Sequence, residues 1–237
     1  MKVIIPAAGM GERLRPLTAK RPKCLVTING KPIVYYLLLQ LKELNISEVI
    51  IITGYKSQMI ERYISDNAAI FPKITLIFNN KYNLENSTRS ISLTRRFWKE
   101  EFMIIDSDLL LNKSIIIKAM TAKSSILLID NSKTHDSIDM KASIEGNYIF
   151  QLDKNIEERD TFGEFFGVSK WLPKDAIKLS TIIDSIIKTD KNAWYEFAIR
   201  ELAKSIKIPY ETCSCRDWIE IDTLEDLAKA QKFEFIL

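Results

Sequence analysis

The residues best suited to chemistry stand near the start of the chain. Pro6-Ala7-Ala8-Gly9-Met10-Gly11-Glu12-Arg13 follows the apolar run Val3-Ile4-Ile5, and Arg15, Lys20, Arg21 and Lys23 come soon after. A strand that opens into small residues presents backbone N–H groups with little side chain in the way. Ala7, Ala8, Gly9 and Gly11 therefore let a phosphate chain approach the backbone closely. Arg13 adds a planar fork for phosphate oxygens, and Lys23 a point charge. Between Arg13 and Lys42 the chain has no Asp or Glu. The natural guest of such a stretch is a polyanion.

Three phosphate motifs compete for this segment. The dinucleotide fingerprint requires Gly where Leu14 stands and an acid about 20 residues later. Neither is present, which disfavours an NAD-binding oxidoreductase. A P-loop requires Gly-Lys-Ser/Thr, and no such string exists. Gly9-x-Gly11 alone reads equally as a tight strand-to-helix turn. The longer string, with Arg13, Pro16-Leu17-Thr18 and Pro22-Lys23, is far more specific.

Two acidic sites complement it. Asp106-Ser107-Asp108 follows the apolar run Phe102–Ile105, so its carboxylates emerge at a strand's carboxyl end, where open α/β sheets bind ligands. In Trp218-Ile219-Glu220-Ile221-Asp222, strand alternation puts Glu220 and Asp222 on one face. Mg²⁺ binds through one or two carboxylates together with phosphate oxygens and water, so both acidic strings are candidates to hold it. Glu220 and Asp226 read equally as salt-bridge or helix-surface charges, and Asp222 alternatively as a neighbour of a helix cap. Glu164, Trp194, Tyr195, Glu196 and Trp218 could form an aromatic and acidic box suited to an amine or quaternary ammonium. Trp194 and Tyr195 read equally as core residues of a helix. Arg89 could meet an anionic acceptor or be a surface charge. The single histidine, His135, lies in the polar segment Asn131–Asp136 and reads as a loop residue.

The elements that must position these residues follow from hydrophobic periodicity. Strands are expected at 2–6, 49–53, 74–78 and 102–105, with helices at 32–44, 58–64 and 90–98 between them. Short apolar strands alternating with amphipathic helices predict an α/β fold, a mostly parallel mixed sheet flanked by helices. Further strands are expected at 124–129 and 162–169, and a hairpin at 140–152 turns at Glu145-Gly146-Asn147. Helices follow at 173–188 and 192–206, then strands at 208–213 and 218–221 and a closing helix from Thr223. No linker or repeat interrupts the 237 residues. The expectation is one domain, with about residues 1–110 forming a nucleotide-binding half and about 111–237 an acceptor-binding half that includes a small hairpin and helical subregion.

Composition narrows the function classes. The net charge of +3 is spread along the chain, whereas nucleic-acid binding needs a concentrated basic face. Cys24, Cys213 and Cys215 are an odd set for a disulfide framework and lack a zinc-ligand spacing. No apolar run reaches the ~20 residues that span a bilayer, and the start lacks the layout of a signal peptide. The expected protein is cytoplasmic, has neither nucleic-acid nor membrane partners, and could form a homodimer.

Pro6-Ala-Ala-Gly-Met-Gly-Glu-Arg-Leu-Arg-Pro-Leu-Thr18, with Pro22-Lys23, resembles the signature of the sugar-nucleotidyltransferase superfamily, with Pro6 where Leu is usual. The resemblance implies a Rossmann-like nucleotidyltransferase fold. It also implies a loop that wraps a triphosphate through Ala7, Ala8, Gly9 and Gly11, an Arg13 that steadies the departing pyrophosphate, and a Lys23 that holds the α-phosphate. By the same resemblance Asp108 is the first metal Asp. Trp218-Ile-Glu-Ile-Asp222, with Leu224-Glu-Asp-Leu behind it, resembles the closing motif of the phosphocholine-cytidylyltransferase subgroup, which makes Asp222 the second Mg²⁺ ligand. Phe78–Tyr82, Glu85–Ser90, Gly163–Val168 and Trp194–Glu196 resemble further strings of that subgroup. They place Asn80, Asn86 and Ser87 on the nucleotide, and Gly54 and Tyr55, which end the run Val49–Thr53, are further nucleotide-binding candidates. Arg89, Glu164, Trp194, Glu196 and Trp218 fall on the acceptor. Arg89 stands where the subgroup often has Tyr, and Phe197 where it often has a polar residue, so the acceptor is left open. The implied reaction moves CMP from CTP to a small phosphorylated or phosphonylated acceptor. A sugar-1-phosphate nucleotidyltransferase using UTP, dTTP or GTP is the alternative within the class, and a non-catalytic nucleotide sensor is the alternative outside it.

Overall fold

In chain order the strands are β1 (Lys2–Ala7), β2 (Thr27–Ile28), β3 (Lys31–Pro32), β4 (Glu48–Thr53), β5 (Ile74–Phe78), β6 (Phe102–Ile105), β7 (Leu109–Leu111), β8 (Ile126–Asp130), β9 (Lys141–Glu145), β10 (Tyr148–Asp153), β11 (Gly163–Trp171), β12 (Tyr210–Cys213) and β13 (Trp218–Glu220). The helices are α1 (Ile33–Glu43), α2 (Ser57–Asp66), α3 (Ser87–Ser92), α4 (Lys113–Thr121), α5 (Pro173–Thr189), α6 (Tyr195–Ala203) and α7 (Leu224–Ala230). This computed structural model describes residues 1–132 and 139–233. His135 lies outside the described residues.

Nine strands form one mixed sheet. Its first half is a parallel block in the order β5-β4-β1-β6. β11 then runs antiparallel to β6, β8 and β9, β12 pairs parallel with β8, and β10 closes the hairpin with β9. The parallel strands are apolar throughout because both of their faces are covered. Val3, Ile5, Val49 and Ile51 face Leu37 and Leu41 of α1 and Ile60 of α2. Ile4, Ile50, Ile52 and Ile104 face the layer of Leu179 and Ile183 from α5 and Ile199 from α6. Successive side chains of one strand thus feed two separate cores, as the two-residue period requires.

Element boundaries differ from the sequence expectations where side chains cap. α3 starts at Ser87 rather than 90, because Asn86 accepts the Ser87 N–H at 2.7 Å, and Arg95–Phe97 is a separate 3₁₀ turn. α6 starts at Tyr195 rather than 192, because Asp190 accepts the Asn192 N–H and Trp194 is extended. Four elements have no counterpart in the sequence reading: β2, β3, β7 and α4. β7 spans only Leu109–Leu111 and owes its existence to antiparallel pairing with β13.

Candidate active site

The loop after β1 is braced from behind. Gly11 has φ +60°, and a Cβ there would lie 3.0 Å from the Cβ of Lys23, so the position favours glycine and lets the loop lie on the lysine stem. Thr18 donates its hydroxyl to the Gly11 carbonyl at 2.8 Å, and Leu14 anchors the turn in the core. Leu14 thus fills with apolar packing the place where a dinucleotide loop would need glycine. Tyr55 donates its hydroxyl to the Thr18 carbonyl at 3.0 Å and its N–H to the Ala8 carbonyl at 3.0 Å.

Long-range pairing brings the acids to this loop. Asp108 lies between β6 and β7, and the β7–β13 ladder sets Glu220 opposite Leu109. The Ile221 N–H donates to the Asp108 carbonyl at 3.0 Å, which places Asp222 beside Asp108. Thr223 and Asp226 then form a reciprocal capping box that starts α7. Asp226 is therefore the capping acid, and Asp222 is left to face the cleft. Lys23 Nζ donates to both Asp108 Oδ2 and Asp222 Oδ1, and Arg13 pairs with Asp222 Oδ2 at 2.5 Å.

The ligand oxygens of Asp108, Glu220 and Asp222 lie within 4.8 Å of one another. An all-oxygen carboxylate set fits a hard divalent cation such as Mg²⁺, and the Lys23 ammonium between two of its members marks it as a place where positive charge is held. Burial pushes the Lys23 ammonium down, but Asp108, Asp222 and Glu220 outweigh it and hold the pKa above its ordinary value. Burial, followed by Asp108 and Asp222, raises the Glu220 carboxyl well above its usual range. Burial, then Glu196 and Asp108, does the same to Asp106.

A cleft of 540 Å³ runs from the loop to Trp194, Tyr195 and Glu196. Among the expected nucleotide residues, Ala7, Ala8, Gly9, Gly11, Asn86 and Ser87 line it together with Arg13 and Lys23. Asn86 and Ser87 also tie the two sides together: Asn86 donates to the Asn192 carbonyl, and Ser87 Oγ accepts the Tyr195 N–H at 2.9 Å. Gly54 and Tyr55 stand behind the loop and do not line the cleft. Asn80 is exposed outside it, whereas its neighbour Asn79 is buried and donates to Ser90 Oγ.

A second cavity, of 190 Å³, shares Arg13, Asp106, Trp194, Glu196 and Asp222 with the first. It adds Asp139, Lys154, Glu164 and Glu220 to the lining, so among the described residues six carboxylates and two cations line it. Gly167, at φ +89°, lets the Asp106 carboxyl lie against β11; a Cβ there would fall 2.3 Å from Asp106 Oδ2. Tyr195 donates its hydroxyl to Asp106 Oδ1 at 3.4 Å and is itself core. Burial raises Glu196 to about 7, opposed by its own backbone N–H and by Lys154.

Two expected acceptor residues lie elsewhere. Trp218 is buried beneath the site, stacked on Phe166 at 4.4 Å between ring centroids, with Nε1–H donated to Asp130 Oδ2 at 2.9 Å. A tryptophan inside a strand is consumed by the core before it can serve a ligand. Arg89 points back along α3 to Glu85, with Nε 3.6 Å from Oε2, and lines neither cavity. The sequence reading missed Lys154, which lines the smaller cavity and lies over the Trp194 ring. It sits in a polar turn after the hairpin, and nothing in its local pattern sets it apart.

No described helix is long and apolar enough to cross a membrane. The cysteines carry no disulfide among the described residues, and burial pushes the Cys24 thiol up to about 12. Near the full length of the chain, two relatives are named choline-phosphate cytidylyltransferase. That of Streptococcus pneumoniae is 27% identical over 234 residues, 98% of this chain and 97% of its own. That of Haemophilus influenzae is 29% identical over 231 residues, 95% and 94% of the two chains. A solved structure of the Streptococcus pneumoniae CTP:phosphocholine cytidylyltransferase superposes with a TM-score of 0.78 at 25% identity, over 98% of this chain and 97% of that one. The profile of the family described as nucleotidyl transferase matches residues 2–137. With more than half of its length inside that profile, the chain belongs to the nucleotidyl transferase family.

Proposed function

We propose that the protein transfers CMP from CTP to a small phosphorylated or phosphonylated acceptor and releases pyrophosphate. The observation that carries this reading is Lys23, bonded to Asp108 and Asp222 in a single cleft that joins the phosphate loop to Trp194 and Glu196. The near-full-length likeness to the two cytidylyltransferases supports CTP as the donor.

An oxygen of the acceptor's phosphoryl group, already ionised at neutral pH, attacks the α-phosphorus in line. The bond from the α-phosphorus to its bridging oxygen breaks, and pyrophosphate leaves with the electron pair. No proton has to move, so positioning and charge neutralisation suffice. Backbone N–H groups at Gly9 and Gly11 hold the phosphates. Arg13 offsets charge on the departing pyrophosphate, and Lys23 turns from its carboxylate partners to the α-phosphate. Asp108 and Asp222, with Glu220, would hold Mg²⁺, which would supply neutralisation of the phosphate charge. On this reading about residues 1–110 serve the nucleotide and about 111–237 the acceptor within one domain, although Asp222 crosses from the second half to the first. The reaction would take place in the cytoplasm, where nucleoside triphosphates are available.

The test is to incubate the protein with each of the four NTPs, Mg²⁺ and a panel of phosphoryl acceptors, and to measure pyrophosphate. Release with CTP and a non-sugar acceptor is expected. Release only with UTP, dTTP or GTP and a sugar 1-phosphate would replace this reading with the sugar-nucleotide alternative.

A further inference from the structure

The acceptor end of the cleft holds two features that discriminate between kinds of amine. The first is an aromatic face that is already taken. Lys154 Nζ stands 4.1 Å from the centroid of the Trp194 ring, and no carboxylate lies within salt-bridge distance of it among the described residues. A cation over an indole face is held by the ring's quadrupole. A second cation brought to the same face would meet like charge.

The second feature is a carboxylate oxygen that lacks a donor. Oε2 of Glu196 is buried and accepts no hydrogen bond among the described residues. Glu196 lines both cavities beside Trp194, in the first turn of α6. Glu164, only 4% exposed, lines the same smaller cavity. A buried acceptor atom left unpaired is costly, and a ligand that supplies a donor removes that cost. A quaternary ammonium has no N–H to give and depends on an open aromatic face. A primary ammonium brings three donors and needs no such face. Lys154 repels both, but only the N–H-bearing amine recovers hydrogen bonds in return.

We propose that the acceptor is a phosphate or phosphonate monoester whose tail is an amine bearing N–H groups, bound by Glu196, and that Lys154 keeps a trimethylammonium tail off Trp194. This rests on the reading of the cleft as a cytidylyltransferase site. It narrows the acceptor class within that reading.

The test compares phosphoethanolamine with phosphocholine on the full-length protein. Pyrophosphate release with CTP and Mg²⁺ gives kcat/KM, and calorimetric titration beside a non-hydrolysable CTP analogue gives binding without turnover. Wild type is expected to favour phosphoethanolamine by at least about 10-fold in both measurements, as a site built to hydrogen-bond an N–H does. Glu196→Gln should lower kcat/KM for phosphoethanolamine by about 10-fold and that for phosphocholine by less, because the trimethylammonium loses the carboxylate's charge but no hydrogen bond. Lys154→Met should narrow the preference by raising phosphocholine. A wild-type preference for phosphocholine or for any acceptor lacking an N–H amine, or a ratio unmoved by Lys154→Met, overturns the inference while the cytidylyltransferase reading stands. Tighter binding of phosphoethanolamine with no CTP turnover would keep the amine selectivity and sink that reading. Neither binding nor turnover of either compound overturns both.

Discussion

The phosphate end of the cleft is made of backbone, small residues and cations, and the acceptor end of buried carboxylates and aromatic rings. The first is a local structure. Gly11, Thr18 and Lys23 contact one another within one short stretch of chain, and Arg13 reaches into the cleft with a side chain 57% exposed. The second is assembled from afar. Asp106 follows β6, Lys154 follows the β9–β10 hairpin, Glu164 lies in β11, and Trp194 and Glu196 open α6. The difference teaches where each end is vulnerable. Cations at a solvated loop keep their charge across ordinary pH. Carboxylates crowded out of water do not, and Asp106, Glu196 and Glu220 all have raised pKa values for that reason.

The comparison breaks first at Lys23, the cation of the phosphate end that bonds Asp108 and Asp222. Lys23→Ala should cut kcat by about 100- to 1000-fold, the loss expected when one donor to a developing charge is removed. Circular dichroism should show the native fold, and a rate near wild type would overturn the role assigned to the lysine. Asp222→Asn should come next. The Mg²⁺ concentration that gives half-maximal rate should rise at least about 10-fold, the loss typical even of residues that only support a ligand. An unchanged Mg²⁺ titration would remove Asp222 from the metal site.

Trp218→Phe separates core from acceptor surface. It removes the donor to buried Asp130 and should lower stability by about 1–3 kcal/mol in urea unfolding without changing KM for the acceptor. A changed KM at unaltered stability would return Trp218 to the ligand. Glu196→Gln tests the pH contrast. A carboxyl raised in the folded state contributes stability that is full below its unfolded value and is lost as pH rises through about 7. The variant escapes that loss, so its Tm should exceed wild type by several degrees at pH 8.5 and by less at pH 5.5. An equal difference at both pH values would show that Glu196 does not titrate there. Arg89→Ala should do least. Its pair with Glu85 is long, and the change should stay below about 1 kcal/mol, with acceptor KM within about 2-fold. A larger shift in KM would bring Arg89 back to the acceptor.

Much of the phosphate end could be read from the sequence because it is contiguous. The acid-free stretch from Arg13 to Lys42 and the displaced glycine at Leu14 both describe a single loop, and the loop's chemistry follows from its residue types. The pairing of Asp108 with Asp222 was accessible only as two separate strand-end patterns. What joins them is the β7–β13 ladder, and β7 is too short and too uniformly apolar to be recognised without its partner. Trp218 and Arg89 show the opposite limit. Both had residue types suited to a ligand, but Phe166 and Asp130 claimed the first and Glu85 the second.

The sequence by itself determined the class of the protein: a parallel α/β core, a polyanion-binding loop and the carboxylates to face it. Strand periodicity and glycine placement are local properties that survive without coordinates. Only the tertiary structure decided which acid caps a helix and which faces the cleft, and which cation reaches the acceptor end. Asp226 lies four residues past Asp222 in the same acidic string, yet it is bound into the Thr223 capping box while Asp222 bonds Lys23 and Arg13. Lys154 looks like any surface lysine until the fold lays it over Trp194. Charge and residue type are written in the chain, but a side chain's partner is fixed by competition among groups that folding alone brings within reach.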